Sequence, residues 1–132
     1  MRSRAHEILV VDDEFATREI LSRWITDEGF SVTSAPDAEC ALAVLAEREI
    51  AVVTVDKDMP GHDGMWLIAE IQKQYPAVAM LLATGDDSIK PRVSLSRGVF
   101  GYLVKPFHPE VIISSIKAAV KWHCDASERA RS

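Results

Sequence analysis

Five short apolar runs alternate with longer stretches of helical spacing, and an alternation of that kind admits few architectures. The runs are Ile8–Val11, Ser31–Ala35, Ile50–Val55, Ala79–Ala83 and Gly101–Val104. Three of them are nearly continuous in apolar residues, as strands covered on both faces must be. In the first intervening stretch Ile20, Leu21, Trp24 and Ile25 share a face opposite Arg18, Glu19, Ser22 and Arg23, and Gly29 is placed to end the helix. In the second, Asp37 is a cap ahead of an inward stripe of Ala38, Ala41, Leu42 and Leu45. In the third, Leu67, Ile68, Ile71 and Tyr75 form the stripe, and Pro76 stops it. The fourth, Ser88–Ser96, contains Pro91 and is expected to start late or be distorted. The last opens at Pro109 and runs to about His123, with Ile112, Ile113, Ile116 and Val120 inward. Five strands alternating with five helices make a doubly wound (βα)5 domain, an open parallel sheet with helices on both faces.

A length of 132 residues fits one such domain, and 48% hydrophobic residues suffice for its core. The expected domain spans residues 1–124, with 125–132 a polar tail or the start of a linker. A formal net charge of −5 argues against direct nucleic acid contact or binding to an anionic membrane surface. No apolar run approaches the ~20 residues that span a bilayer. Cys40 and Cys124 are far apart and lack metal-ligand spacing, which suits a reduced, cytoplasmic protein.

In open parallel sheets, ligands gather at the carboxyl ends of the strands. There the sequence places Asp12 and Asp13 after the first strand, Asp56 after the third, Thr84 after the fourth and Lys105 after the fifth. Singly, each has a bland explanation as a helix cap or an ordinary strand end. Together they form two halves of a site. Three converging carboxylates repel unless a cation joins them, and oxygen-only ligands favour a hard ion such as Mg2+. A hydroxyl and an ammonium suit phosphoryl oxygens.

The segments VVDDE, VDKDMPGHDG, LLATG and GYLVKPF, in this order from Glu7 to about His123, resemble the signatures of response regulator receiver domains of two-component systems, the CheY-like superfamily. The resemblance implies a flavodoxin-like fold with strand order 2-1-3-4-5 and a cis Lys105–Pro106 peptide. It implies that Asp56 is the phosphoacceptor and that Mg2+ is bound by Asp13, by Asp12 mainly through water, by Asp56 and by the backbone carbonyl of Asp58. Thr84 and Lys105 would contact phosphoryl oxygens, and Thr84 and Tyr102 would form the switch. The implied partners are a sensor histidine kinase or phosphotransfer protein as donor, and an output domain or partner reached through the face formed by the fourth helix, fifth strand and last helix. Such a domain is a phosphoacceptor with self-catalysed phosphotransfer and autodephosphorylation rather than an enzyme acting on a separate substrate.

Two other readings compete. Asp56-x-Asp58 resembles the nucleophile loop of haloacid-dehalogenase-type phosphatases, but it follows the third strand and is followed by Pro60. A non-phosphorylated docking module need not keep Asp12, Asp13, Asp56, Thr84 and Lys105 together. Asp58 and Asp86 are read in two ways, as acids flanking the expected path of attacking water or as solvated loop acids. Val99 and Phe100 are read as local packing, Trp24 and Trp66 as packing residues, and Trp122 and Cys124 as exposed if a further domain follows. The four histidines, His6, His62, His108 and His123, are read as structural or solvated.

Overall fold

The computed structural model describes residues 6–85 and 99–131. Its centre is β3 (Val52–Asp56), a strand of five buried residues lying between β1 (Glu7–Val11) and β4 (Ala79–Thr84). β2 (Ser31–Ala35) and β5 (Val99–Val104) form the edges, so the parallel sheet has the order β2-β1-β3-β4-β5. A polar group in β3 must therefore be satisfied within the protein, and Asp56 at its last position is the one carboxylate there.

The pleat of β1 explains the two cores. Ile8 and Val10 face α1 (Phe15–Asp27) and the C-terminal helix (Pro109–Arg131), packing with Leu21, Ile25, Ile112, Ile116 and Ala119. Leu9 and Val11 face the other way, toward α2 (Ala38–Glu47) and α3 (Gly64–Gln74), where Ala41, Leu45, Leu67, Ile68 and Ile71 meet Val53 and Val55. Each fully buried leucine or isoleucine in these layers contributes about 1.5–3 kcal/mol relative to exposure.

Local chemistry fixes the helix ends. Asp37 caps α2 through the Cys40 amide at 2.8 Å, and Asp63 caps α3 through the Trp66 amide at 3.0 Å. Gly29, at φ 96°, closes α1 as its amide donates to the Thr26 carbonyl at 2.9 Å. No helix among the described residues is long and apolar enough to cross a membrane.

Several expectations need correction. Ile20 is 45% exposed, so the inward stripe of α1 is Leu21 and Ile25 with Trp24 half-buried beside them. Arg18, expected on the outer face, is half-buried and folds back toward the start of its own helix. β5 begins at Val99, with an irregularity at Phe100 because Met80 pairs with Val99 and Leu81 with Gly101. The C-terminal helix continues past His123 to Arg131. His123 Nδ1 lies 2.7 Å from the Ala77 carbonyl, Cys124 lies 3.5 Å from His6, and Lys121 pairs with Asp125 one turn on. Those contacts leave Trp122 and Cys124 half-buried, and Trp122 packs 6.3 Å from Phe100 between ring centroids. The Ser88–Ser96 helix, its Pro91 and the loop acid Asp86 lie outside the described residues.

Candidate functional site

Asp12 and Asp56 end adjacent parallel strands, since β1 and β3 pair through Val11 and Val55. Both carboxylates are buried, while Asp13 is exposed at the rim. The Asp12 amide donates to the Ala35 carbonyl at 3.2 Å, and its Oδ1 accepts from the Glu14 amide at 2.8 Å. Asp56 Oδ1 accepts from the Asp58 amide at 3.2 Å. The ligand oxygens of Asp12, Asp13 and Asp56 all lie within 4.8 Å of one another.

The fifth strand supplies the counter-charge. Lys105 Nζ lies 3.4 Å from Asp56 Oδ1 and 3.8 Å from Asp12 Oδ2. Its amide donates to the Thr84 carbonyl at 2.9 Å, so the lysine and the end of β4 are joined through backbone. The Lys105–Pro106 peptide is cis. Thr84 is fully buried at the last position of β4, and Tyr102 is half-buried opposite Leu82, packed against the α2–α3 core.

One ammonium does not neutralise three carboxylates, and the electrostatics record it. Burial, then the charge of Asp12, push the Asp56 carboxyl up to about 6, with the Asp13 carboxyl acting in the same direction; Lys105 and the Asp58 amide only partly offset this. The Asp12 carboxyl is raised as well, chiefly by burial. A hard divalent cation answers this excess. Oxygens held ~2.1 Å from an octahedral Mg2+ sit about 3–4 Å from one another, a span the three carboxylates meet with small movements.

The β3–α3 turn is held unusually close. A Cβ on Gly64 would lie 2.3 Å from the Asp56 carbonyl oxygen and 2.8 Å from the Lys57 Cα, so only glycine lets α3 start there. The Gly64 amide donates to the Lys57 carbonyl at 3.0 Å. Within this turn the Asp58 side chain is 74% exposed and faces Lys57 at 3.7 Å, away from the buried acids. That orientation gives no support to a phosphatase-like pair of Asp56 and Asp58 carboxylates. His62 stacks on Trp66 with centroids 3.8 Å apart and faces Glu39 at 3.6 Å. Sequence reasoning missed Gly64 and Arg18; the Gly of MPGHDG was quoted only as part of a signature, although a glycine at a helix start hints at a close approach.

The sequence pattern of the response regulator receiver domain matches residues 8–117. The chain belongs to this family. Among solved structures, a receiver domain of an HD domain-containing protein from Pseudomonas fluorescens Pf-5 is 30% identical, with a TM-score of 0.86 over 92% of this chain and 99% of that one. The receiver domain of NtrX from Brucella abortus is 32% identical, with a TM-score of 0.82 over 86% of this chain and 98% of that one. Against a longer NtrX structure, in complex with ADP, identity is 32% and the TM-score 0.88; there the chain is covered to 96% but spans only 30% of its relative. Receiver domains are phosphoacceptor signalling modules that bind Mg2+ at an acidic pocket. In this receiver domain Asp12, Asp13 and Asp56 are the group suited to that ion.

Proposed function

We propose that the domain is a phosphorylation-dependent switch in which Asp56 accepts a phosphoryl group from a sensor histidine kinase or phosphotransfer protein. The observation that carries this reading is the buried Asp56 carboxylate, gathered with Asp12 and Asp13 and facing the Lys105 ammonium at 3.4 Å. Asp13, Asp56 and the Asp58 carbonyl would hold Mg2+ directly, and Asp12 chiefly through water. When bound, the ion would supply positive charge against the Asp56 carboxylate and the phosphoryl oxygens.

The remaining work falls to side chains. The Asp56 oxygen attacks phosphorus as the phosphorus–nitrogen bond of the donor phosphohistidine breaks, and the leaving imidazole keeps the electron pair. Lys105 offsets charge on one equatorial oxygen and the Thr84 hydroxyl donates to another. Water later cleaves the new phosphorus–oxygen bond, restoring the carboxylate and releasing inorganic phosphate. Asp58, exposed at the rim, flanks the water's path.

Signalling would follow from Thr84 moving toward the phosphoryl group. Its displacement would bias Tyr102, on the adjacent strand, between two packings of the face that carries β5 and the C-terminal helix; the fourth-helix part of that expected face lies outside the described residues. An output domain or partner would read that face. On this reading the receiver unit would comprise residues 1–124, and its last helix runs on to Arg131. A cytoplasmic setting fits the two free cysteines.

Phosphorylation with labelled acetyl phosphate and Mg2+ tests the assignment. The parent should incorporate acid-stable, base-labile phosphate, and Asp56→Asn should incorporate none. Equal labelling of both proteins would remove Asp56 from its role.

A further inference from the structure

The Asp12-Asp13-Glu14 turn lacks the usual brace at a helix start. Glu14, the N-cap of α1, makes no side-chain capping bond, and the first turn of the helix carries no acidic residue. The turn is tied instead from the next turn of the helix. The Arg18 guanidinium folds back and donates from Nη1 to the Asp12 carbonyl at 2.6 Å. Its carbon sits 5.7 Å from the centroid of the Phe15 ring, and Phe15 is otherwise 67% exposed.

The polar atoms of Asp12 can then be followed one by one. Its amide is bound to Ala35, its carbonyl to Arg18 and its Oδ1 to the Glu14 amide. Oδ2 faces Lys105 at 3.8 Å, and the carboxylate joins Asp13 and Asp56 in the acidic group. The carbonyl held by Arg18 belongs to the peptide that leads into Asp13, so the same bond sets where Asp13 stands at the rim. We propose that Arg18 is a positioning residue for divalent-cation binding, holding the Asp12–Asp13 turn in its binding geometry with Phe15 as the support of its guanidinium. The inference rests on the reading of Asp12, Asp13 and Asp56 as a metal site.

Charge makes the test decisive in sign. Deleting a cation near three carboxylates would, by Coulomb's law alone, tighten Mg2+ binding. Loss of positioning would weaken it. Mg2+ titration by calorimetry on the metal-free full chain should show Arg18→Ala binding on the order of tenfold more weakly than the parent. Arg18→Lys, which restores charge and one donor, should recover part of that loss. Melting temperatures without metal accompany the titrations, so that a folding defect is seen directly. Should Arg18→Ala not fold, Phe15→Ala keeps the guanidinium but removes its support and should weaken Mg2+ roughly two- to fivefold. Equal or tighter binding in Arg18→Ala, or parental affinity in Phe15→Ala, overturns the positioning role while leaving the metal site intact. A parent that binds no Mg2+ overturns the metal reading and this inference with it.

Discussion

Lys105 approaches Asp56 more closely than it approaches Asp12, 3.4 Å against 3.8 Å, so one ammonium is shared unequally between two buried carboxylates. The lysine lowers the Asp56 pKa while burial and Asp12 raise it. Replacing it with methionine leaves the upward influences opposed by the Asp58 amide alone. Asp56 in Lys105→Met should therefore titrate above about 6 when followed by carboxyl carbon NMR in metal-free protein. A midpoint at or below the parental one would mean that the ammonium does not act on Asp56.

Stability should depend on pH in an unusual direction. Asp56 titrates at its ordinary 3.8 in the unfolded chain and at about 6 in the folded one. Between those values the folded protein keeps a proton that the unfolded chain has released. The contribution is thus complete below about pH 4 and is lost as pH rises through 6, amounting to roughly 3 kcal/mol. The raised Asp12 adds in the same sense. Urea denaturation without divalent ions should show stability falling from pH 4.5 to pH 7, and Asp56→Asn should flatten the slope. Millimolar Mg2+ at pH 7 should restore stability by binding the folded state alone. A parental slope in Asp56→Asn would assign the effect elsewhere.

Gly64 offers a steric test. Adding one methyl at this position forces the start of α3 away from the Asp56 backbone, and no flexible side chain stands in the way to yield. Gly64→Ala should cost about 1–3 kcal/mol in chemical denaturation, the range typical of overpacking. Unchanged stability would show that α3 can shift freely.

The far end of the C-terminal helix offers another. His123→Ala removes the contact to the Ala77 carbonyl and should cost about 1 kcal/mol. Amide exchange beyond Cys124 should quicken while exchange in Ile112–Val120 stays slow. Equal protection along the whole helix in the variant would show that His123 does not anchor it.

Much of this architecture was legible in sequence because buried parallel strands leave an apolar trace that few other elements imitate. The five runs fell on the five strands, and Asp12, Asp13, Asp56 and Lys105 were readable as one group since each stands at or just beyond the carboxyl end of a strand. Periodicity served less well where side chains act across turns. Ile20 scored as inward on an apolar face, yet the stripe of α1 is narrow enough to leave it in water. Arg18 falls on the outer face by spacing, because helical spacing cannot show a long side chain curling back on its own helix start. The run from Asp125 to Arg131 looked like a polar tail, and only contacts made by His123 and Cys124 with distant residues reveal why the helix persists. The irregularity at Phe100 was invisible for the same reason: it exists only in the pairing of β4 with β5.

Solvent meets the acidic trio unevenly. Asp12 and Asp56 are buried, and of the three acids only Asp13 is exposed. On the reading of this trio as a metal site, Asp13 would be the ligand within reach of water, and Asp12 and Asp56 the two that hold the cation away from it. A phosphoryl donor of the proposed kind would then have to dock without burying Asp13, since a partner seated over that residue would cut the trio off from its one exposed acid.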